Sequence, residues 1–198
     1  MKNSDQNHSI NFSVEERELL AFQAIQLENY KDAYKLLLQL IDDNSGYAFN
    51  TLGSFYETGT VVPLDKIAAC SYYQRAVNEN YISAFSRLGS ILFDTGDIAY
   101  ARSVFESGAK LGSLPCMYQL GVMMIEGQGG DVDQSQGRQW LKKAAQEGHI
   151  FSQRRIIGLE VRESKSIISK IMSASKILGL IGPALKEYIK DSDSEKLK

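Results

Sequence analysis

Cysteine, proline and histidine are scarce in this chain of 198 residues, which holds two, three and two of them. Two cysteines cannot staple a disulfide scaffold, and Cys70 and Cys116 both fall at apolar positions of helical patterns, so they read as buried, reduced thiols. Three prolines leave long stretches without a helix breaker. His8 and His149 have no second His or Cys at ligand spacing, so neither a metal site nor a cofactor is expected. Positive charge is not in excess: the net charge is −2, and residues 1–160 carry 14 Lys and Arg against 19 Asp and Glu. An acidic surface disfavours DNA and RNA, whose binding rests on neutralising phosphates. Long apolar runs are missing too. The weakly polar stretch Ile177 to Leu185 spans nine residues, where a membrane-spanning helix needs about 20. Met1 to Asn11 is polar and lacks the apolar segment of a secretory leader, so the expected location is cytoplasmic.

Catalytic patterns are equally sparse. Gly127-Gln-Gly-Gly130-Asp131 has the look of a phosphate loop, yet no Gly-Lys-Ser/Thr follows it and it comes after a helical pattern, not a strand. It reads as a turn that needs positive φ. No nucleophile motif frames His149, and the pair Asp42-Asp43 sits beside a turn where both carboxylates are solvated. The chain is not expected to be an enzyme.

What is present is a repeat. Ala48-x3-Leu52-Gly53, Ala84-x3-Leu88-Gly89 and Cys116-x3-Leu120-Gly121 superpose, and Leu20-Ala21 fits one unit earlier. The small residues of the second segments, Ala33, Ala69, Ala101 and Gly137, each stand 15 positions before Ala48, Ala84, Cys116 and Ser152. This gives four units, alternating between 32 and 36 residues, and a half-unit around Ser152 and Ile156. A small residue beside Leu lets a second helix approach to the short end of the 8–10 Å interaxial range. The knobs Leu37, Tyr73, Phe105 and Leu141 fill that approach, and Ala76, Gly108 and Ala144 three residues later admit the next unit, with Leu40 the larger exception. Ser13-Val-Glu-Glu16 is a capping box that should start the first helix, while Asp65 and Asp133 should cap second helices after Gly-containing loops. Pro63 and Pro115 stand where a missing N–H is harmless.

The longer units resemble Sel1-like repeats. One carries Ala48, Leu52-Gly53, Tyr56, Gly59, Val61, Asp65, Ala69, Tyr72-Tyr73 and Arg75-Ala76-Val77; the other carries Leu120-Gly121, Gly127, Gly129, Asp133, Trp140-Leu141, Lys143-Ala144-Ala145 and Gly148. The shorter units are similar to tetratricopeptide hairpins, and the resemblance covers residues 13–160. Met124, Gly137 and Asn80 depart from the pattern, where an aromatic, Ala and Gly are usual. Glycine in a helix costs about 1 kcal/mol against alanine, so the fourth hairpin is expected to be locally soft. The resemblance implies an all-α, right-handed α-solenoid of about ten helices, working as a non-catalytic scaffold or adaptor for protein partners. An inhibitor or immunity-type protein that wraps a toxin or enzyme is the alternative within the binding class.

In such stacks the first helices line the concave side, and residues three or four apart share a face. The groove set is then Tyr47, Asn50, Ser54 and Glu57; Ser83, Ser86, Ser90, Phe93 and Asp94; and Tyr118, Val122, Ile125 and Glu126. A polar set with Tyr47, Phe93 and Tyr118 as anchors suits a protein or peptide partner. No Lys and Asn clamp for a C-terminal carboxylate accompanies it.

Residues 1–12 read as a flexible tail, 13–160 as the solenoid, 161–190 as an amphipathic helical segment and 191–198 as a charged tail. From 161 onward the charge reverses, with 8 basic and 5 acidic residues. Ile167, Ile171, Ala174, Leu178, Ile181, Leu185 and Tyr188 form a heptad-like stripe, which Gly182-Pro183 should break or kink. Three readings stay open for it: a cap on the last half-unit, a self-association or partner-binding helix, and peripheral membrane contact helped by Lys165, Lys170 and Lys176.

Overall fold

The computed structural model describes residues 12–178, with the side chains of 12–171. Among the described residues there are nine helices and no strand: α1 (Val14–Gln26), α2 (Tyr30–Gln39), α3 (Gly46–Thr58), α4 (Lys66–Asn78), α5 (Ile82–Asp94), α6 (Ile98–Lys110), α7 (Leu114–Glu126), α8 (Gln134–Gln146) and α9 (Ile150–Leu178). Consecutive helices pack on one another throughout, and α5 also touches α7. This is an all-α repeat solenoid of four hairpins followed by α9.

The ends of the helices follow from the residues placed there. Ser13 and Glu16 form the reciprocal capping box at α1. Asp65 accepts from the amides of Ile67 and Ala68, and Asp133 from that of Gln136, each facing the positive end of its helix. Pro115 lies in the first turn of α7. The turns between units place Asn44, Asn80, Gly112 and Gly148 in the left-handed region, with φ of 55°, 57°, 95° and 93°. Asn is the side chain that best tolerates this conformation after Gly, which is why Asn80 serves where glycine is usual.

The core falls into two clusters that meet along α3, which buries two faces. In α3, Ala48, Leu52 and Phe55 join Ala21, Ala33, Leu37 and Leu40, while Phe49 joins a larger cluster that runs through Tyr73, Phe85, Leu88, Phe105, Met117 and Leu120 to Ala144. All four knobs are buried. A Cβ on Gly53 would stand 2.9 Å from the Tyr73 ring, one on Gly89 2.5 Å from Phe105, and one on Gly121 2.8 Å from Leu141. Gly108 makes the contact between units, with Cys116 Sγ at 2.6 Å from where its Cβ would be. Both cysteines are free, and burial pushes the Cys116 thiol up to about 11.

One expectation changes. Gly137 is not a soft spot: its missing Cβ would meet the Gly121 carbonyl oxygen at 2.7 Å and Ile125 at 2.8 Å, so α7 and α8 approach too closely for alanine. The composition change at residue 160 coincides with no helix end, since α9 crosses it unbroken. Within α9 the side chains of 160–171 are exposed, with Ile167 at 56% and Ile171 at 46%. So the described part of the apolar stripe is uncovered. The backbone of Ala174 and Leu178 is helical; their side chains, Ile181, Leu185, Tyr188, the Gly182-Pro183 break and both tails apart from Phe12 lie outside what is described.

Glycine substitutions should therefore split by location. Gly89→Ala and Gly137→Ala should each lower stability in urea unfolding by about 1–3 kcal/mol, because overpacking outweighs the gain in helix propensity. Gly158→Ala in α9, where a Cβ would meet nothing within 4 Å, should raise it by up to about 1 kcal/mol.

Candidate partner-binding groove

The seated knobs fix which residues of the first helices turn away from the hairpin. In repeat register Asn50, Ser86, Tyr118 and Arg154 are equivalent, as are Ser54, Ser90, Val122 and Gly158, and Thr58, Asp94, Glu126 and Arg162. The face they form is mostly polar up to α7 and carries guanidinium groups on α9.

Five of the expected groove residues line one cavity. Ser90, Phe93 and Asp94 of α5 face Val122 and Glu126 of α7 across about 350 Å³, with Phe105, Gln119 and Gln128 completing the wall. Glu126 also borders a second cavity of about 650 Å³ between α7, α8 and α9, where Ile125 joins it. That cleft contains Arg138, Arg154, Arg155 and Arg162. Glu163 holds Arg138 through both of its terminal nitrogens, at 2.6 and 3.3 Å, and Glu126 accepts from Arg155 at 2.6 Å.

The other expected groove residues lie outside these two cavities. Tyr47 packs edge-on against Tyr81, 6.5 Å between ring centres, beside a depression that includes Glu18, Glu79 and Ser83, and burial raises its phenol above the ordinary range. Glu57 accepts the Tyr73 hydroxyl at 2.6 Å; burial and that carboxylate together push the Tyr73 phenol up. Thr58 turns its hydroxyl to the Ser54 carbonyl, and Ser86 and Ser90 turn theirs to Ser83 and Ser86. The Asn50 side-chain oxygen is buried without a partner. Tyr118 lies against His149, with ring centres 5.3 Å apart, and against Phe151 at 6.3 Å. The three aromatic anchors thus belong to three separate clusters.

The repeat register extends to Arg154, inside the half-unit around Ser152 and Ile156, and to Arg162 beyond it, so both arginines have a signal in the sequence. Arg138 and Glu163 had no such signal; their pairing spans 25 positions. The glycine loop of the fourth unit acts as an anchor. A Cβ on Gly129 would stand 2.5 Å from the Ile98 carbonyl oxygen, and Arg102 donates to the carbonyls of Gln128 and Asp131. Among the described residues no group of His, Cys, Asp and Glu is arranged to hold a metal ion, and no helix is long and apolar enough to cross a membrane.

The Sel1 repeat family matches the chain at residues 51–81 and 114–149. The exopolysaccharide production negative regulator of Rhizobium meliloti is 23% identical over 130 residues, which covers 62% of this chain and 39% of that protein. The chain thus corresponds to well under half of that relative. A Sel1 repeat protein from Oxalobacter formigenes superposes with a TM-score of 0.66 at 21% identity, over 71% of this chain and 60% of the other. A protective antigen of uropathogenic Escherichia coli strains, displaying an SLR fold, gives 0.68 at 23% identity, over 76% and 34%.

His149 precedes α9 and caps it. Its Nδ1 accepts from the Ser152 amide at 3.3 Å and lies 2.9 Å from the Ser152 hydroxyl, an arrangement that needs Nδ1 unprotonated. Burial lowers its pKa below the ordinary value, so the unfolded chain takes up the proton first. The cap's contribution is therefore complete above about pH 6.5 and is lost as pH falls from there through the lower folded value. Thermal unfolding followed from about pH 7.5 to 5.5 should show a decline in stability that His149→Asn, a cap without a titrating group, flattens.

Proposed function

We propose that this chain, a Sel1-like repeat protein, acts as a non-catalytic adaptor or regulator that holds a segment of a partner protein along its first helices. Sel1 repeats generally mediate protein–protein interaction, and the repeat fold is typically a scaffold without catalytic chemistry. The observation that carries the reading is that two cavities, one between α5 and α7 and one between α7, α8 and α9, share Glu126 in their walls, and we read them as one trough across the repeats. A trough across successive repeats suits an extended or helical peptide better than a compact small molecule. Phe93 is its aromatic anchor, half-buried beside Val122.

The name of the Rhizobium relative favours one sense of regulation, a negative one. A protein that restrains its partner by occupying it fits the same trough. This is the inhibitor reading, and it uses the same residues.

Full-length protein used as bait, with crosslinking and mass spectrometry, should identify a partner that contacts peptides spanning residues 82–126. Phe93→Ala and Val122→Glu should each weaken capture of that partner at least about tenfold while leaving the helical circular dichroism unchanged. Undiminished capture by both variants would show that the partner binds elsewhere.

A further inference from the structure

The cleft at α9 has more positive charge than its own carboxylates neutralise. Four guanidinium groups line it against Glu126 and Glu163, which are taken up by Arg155 and Arg138. Arg154 and Arg162 have no acidic partner among the described residues, and Arg155 Nε is buried without an acceptor. In repeat register these two free arginines stand where α5 and α7 present Ser86 and Tyr118, and Asp94 and Glu126. The recognition face therefore changes sign between its last two helices.

We infer that this cleft receives the carboxylates of an Asp- or Glu-rich segment of the protein partner, bound to Arg154 and Arg162, while an apolar side chain of the same segment enters the cavity beside Phe93 and Val122. The inference rests on the trough reading above and names the chemistry of its occupant. The cleft already displays the geometry: the forked contact of Glu163 on Arg138 is how a guanidinium grips a carboxylate. The charge pattern also discriminates between polyanions. A nucleic acid strand lying along the trough would carry phosphates past Asp94 and Glu126, which repel them. A peptide can be acidic over α9 and apolar over α5 and α7, so it meets both parts of the face favourably.

The test uses the full-length protein and fluorescein-labelled peptides, Leu-Glu-Glu-Glu-Glu and its counterpart with Gln for every Glu, read by fluorescence anisotropy. The Glu peptide should bind at least about tenfold more tightly, and its advantage should shrink as salt is raised. Arg154→Glu combined with Arg162→Glu should abolish the difference between the peptides. Lys142→Glu, exposed on α8 outside the cleft, should preserve it. Arg154→Gln with Arg162→Gln repeats the test without charge reversal, and matching thermal unfolding confirms that the variants fold. Equal affinity for the two peptides overturns the inference, as does an unaffected double variant. Displacement of the Glu peptide by inorganic phosphate at concentrations where acetate does nothing also overturns it, in favour of a phosphate site. If the double arginine variants still capture the partner that Phe93→Ala loses, the trough reading stands and this inference alone falls.

Discussion

The contact on which the rest of this structure depends is the seating of one large side chain on one small residue within each hairpin, a glycine with no Cβ in three of the four. Tyr73 sits on Gly53, Phe105 on Gly89 and Leu141 on Gly121, each so close that an added methyl would collide. The N-terminal hairpin uses Leu37 with Ala21, both fully buried. Interiors are dense, so a contact this short sets the helix spacing to within tenths of an ångström, and a wider seat would lose dispersion on both sides. In the last hairpin the compression extends to the backbone, because Gly121 and Gly137 face each other's carbonyls. With the inner face of each first helix committed in this way, its outward residues are fixed by helical geometry alone. Ser90, Phe93, Val122 and Glu126 reach a common cavity for that reason.

The same contact explains how the array ends. In α9 the position equivalent to the three glycines is Ile157, and it is 59% exposed. No second helix is seated on it among the described residues. α9 is therefore held on one side, by its packing on α8 and by the contact of Phe151 with Tyr118 of α7. The ion pairs of Arg138 with Glu163 and Arg155 with Glu126 tie it to α8 and α7, but pairs exposed to this degree stabilise by roughly 0–1 kcal/mol each. They orient the helix more than they secure it. A cleft opens along this loosely held side, and charged side chains line it because water still reaches them.

Most of the fold was legible in the sequence because it is written in local, repeated signals. The Leu-small pairs, the Ser13 box and the Asp65 and Asp133 caps each involve residues close in the chain, and each repeats a physical need that every hairpin has. The trough was legible only in part. Its members on α5 and α7 follow from the register, whereas Tyr47 and Tyr118 are drawn into aromatic clusters by Tyr81, His149 and Phe151. Those partners lie roughly one repeat away, and no spacing rule states which ring will turn toward which. Gly137 was misread for the same reason. Helix propensity counts its cost within one helix, while its benefit lies in the neighbouring one.

A solenoid built from equivalent units would present equivalent surfaces, and a peptide could slide along it by one repeat at little cost. Two features of this chain break that degeneracy. The first is the alternation of unit length, which places a Gly-rich loop after α7 but not after α5, anchored by Arg102 to the preceding hairpin. The second is the change from Asp94 and Glu126 to Arg162 at one repeated position. A ligand shifted by one unit would bring like charges together, and a like-charge juxtaposition costs far more than an exposed ion pair gains. On the proposal made above, the free arginines of α9 act as a register mark that decides where along a uniform scaffold a partner segment comes to rest.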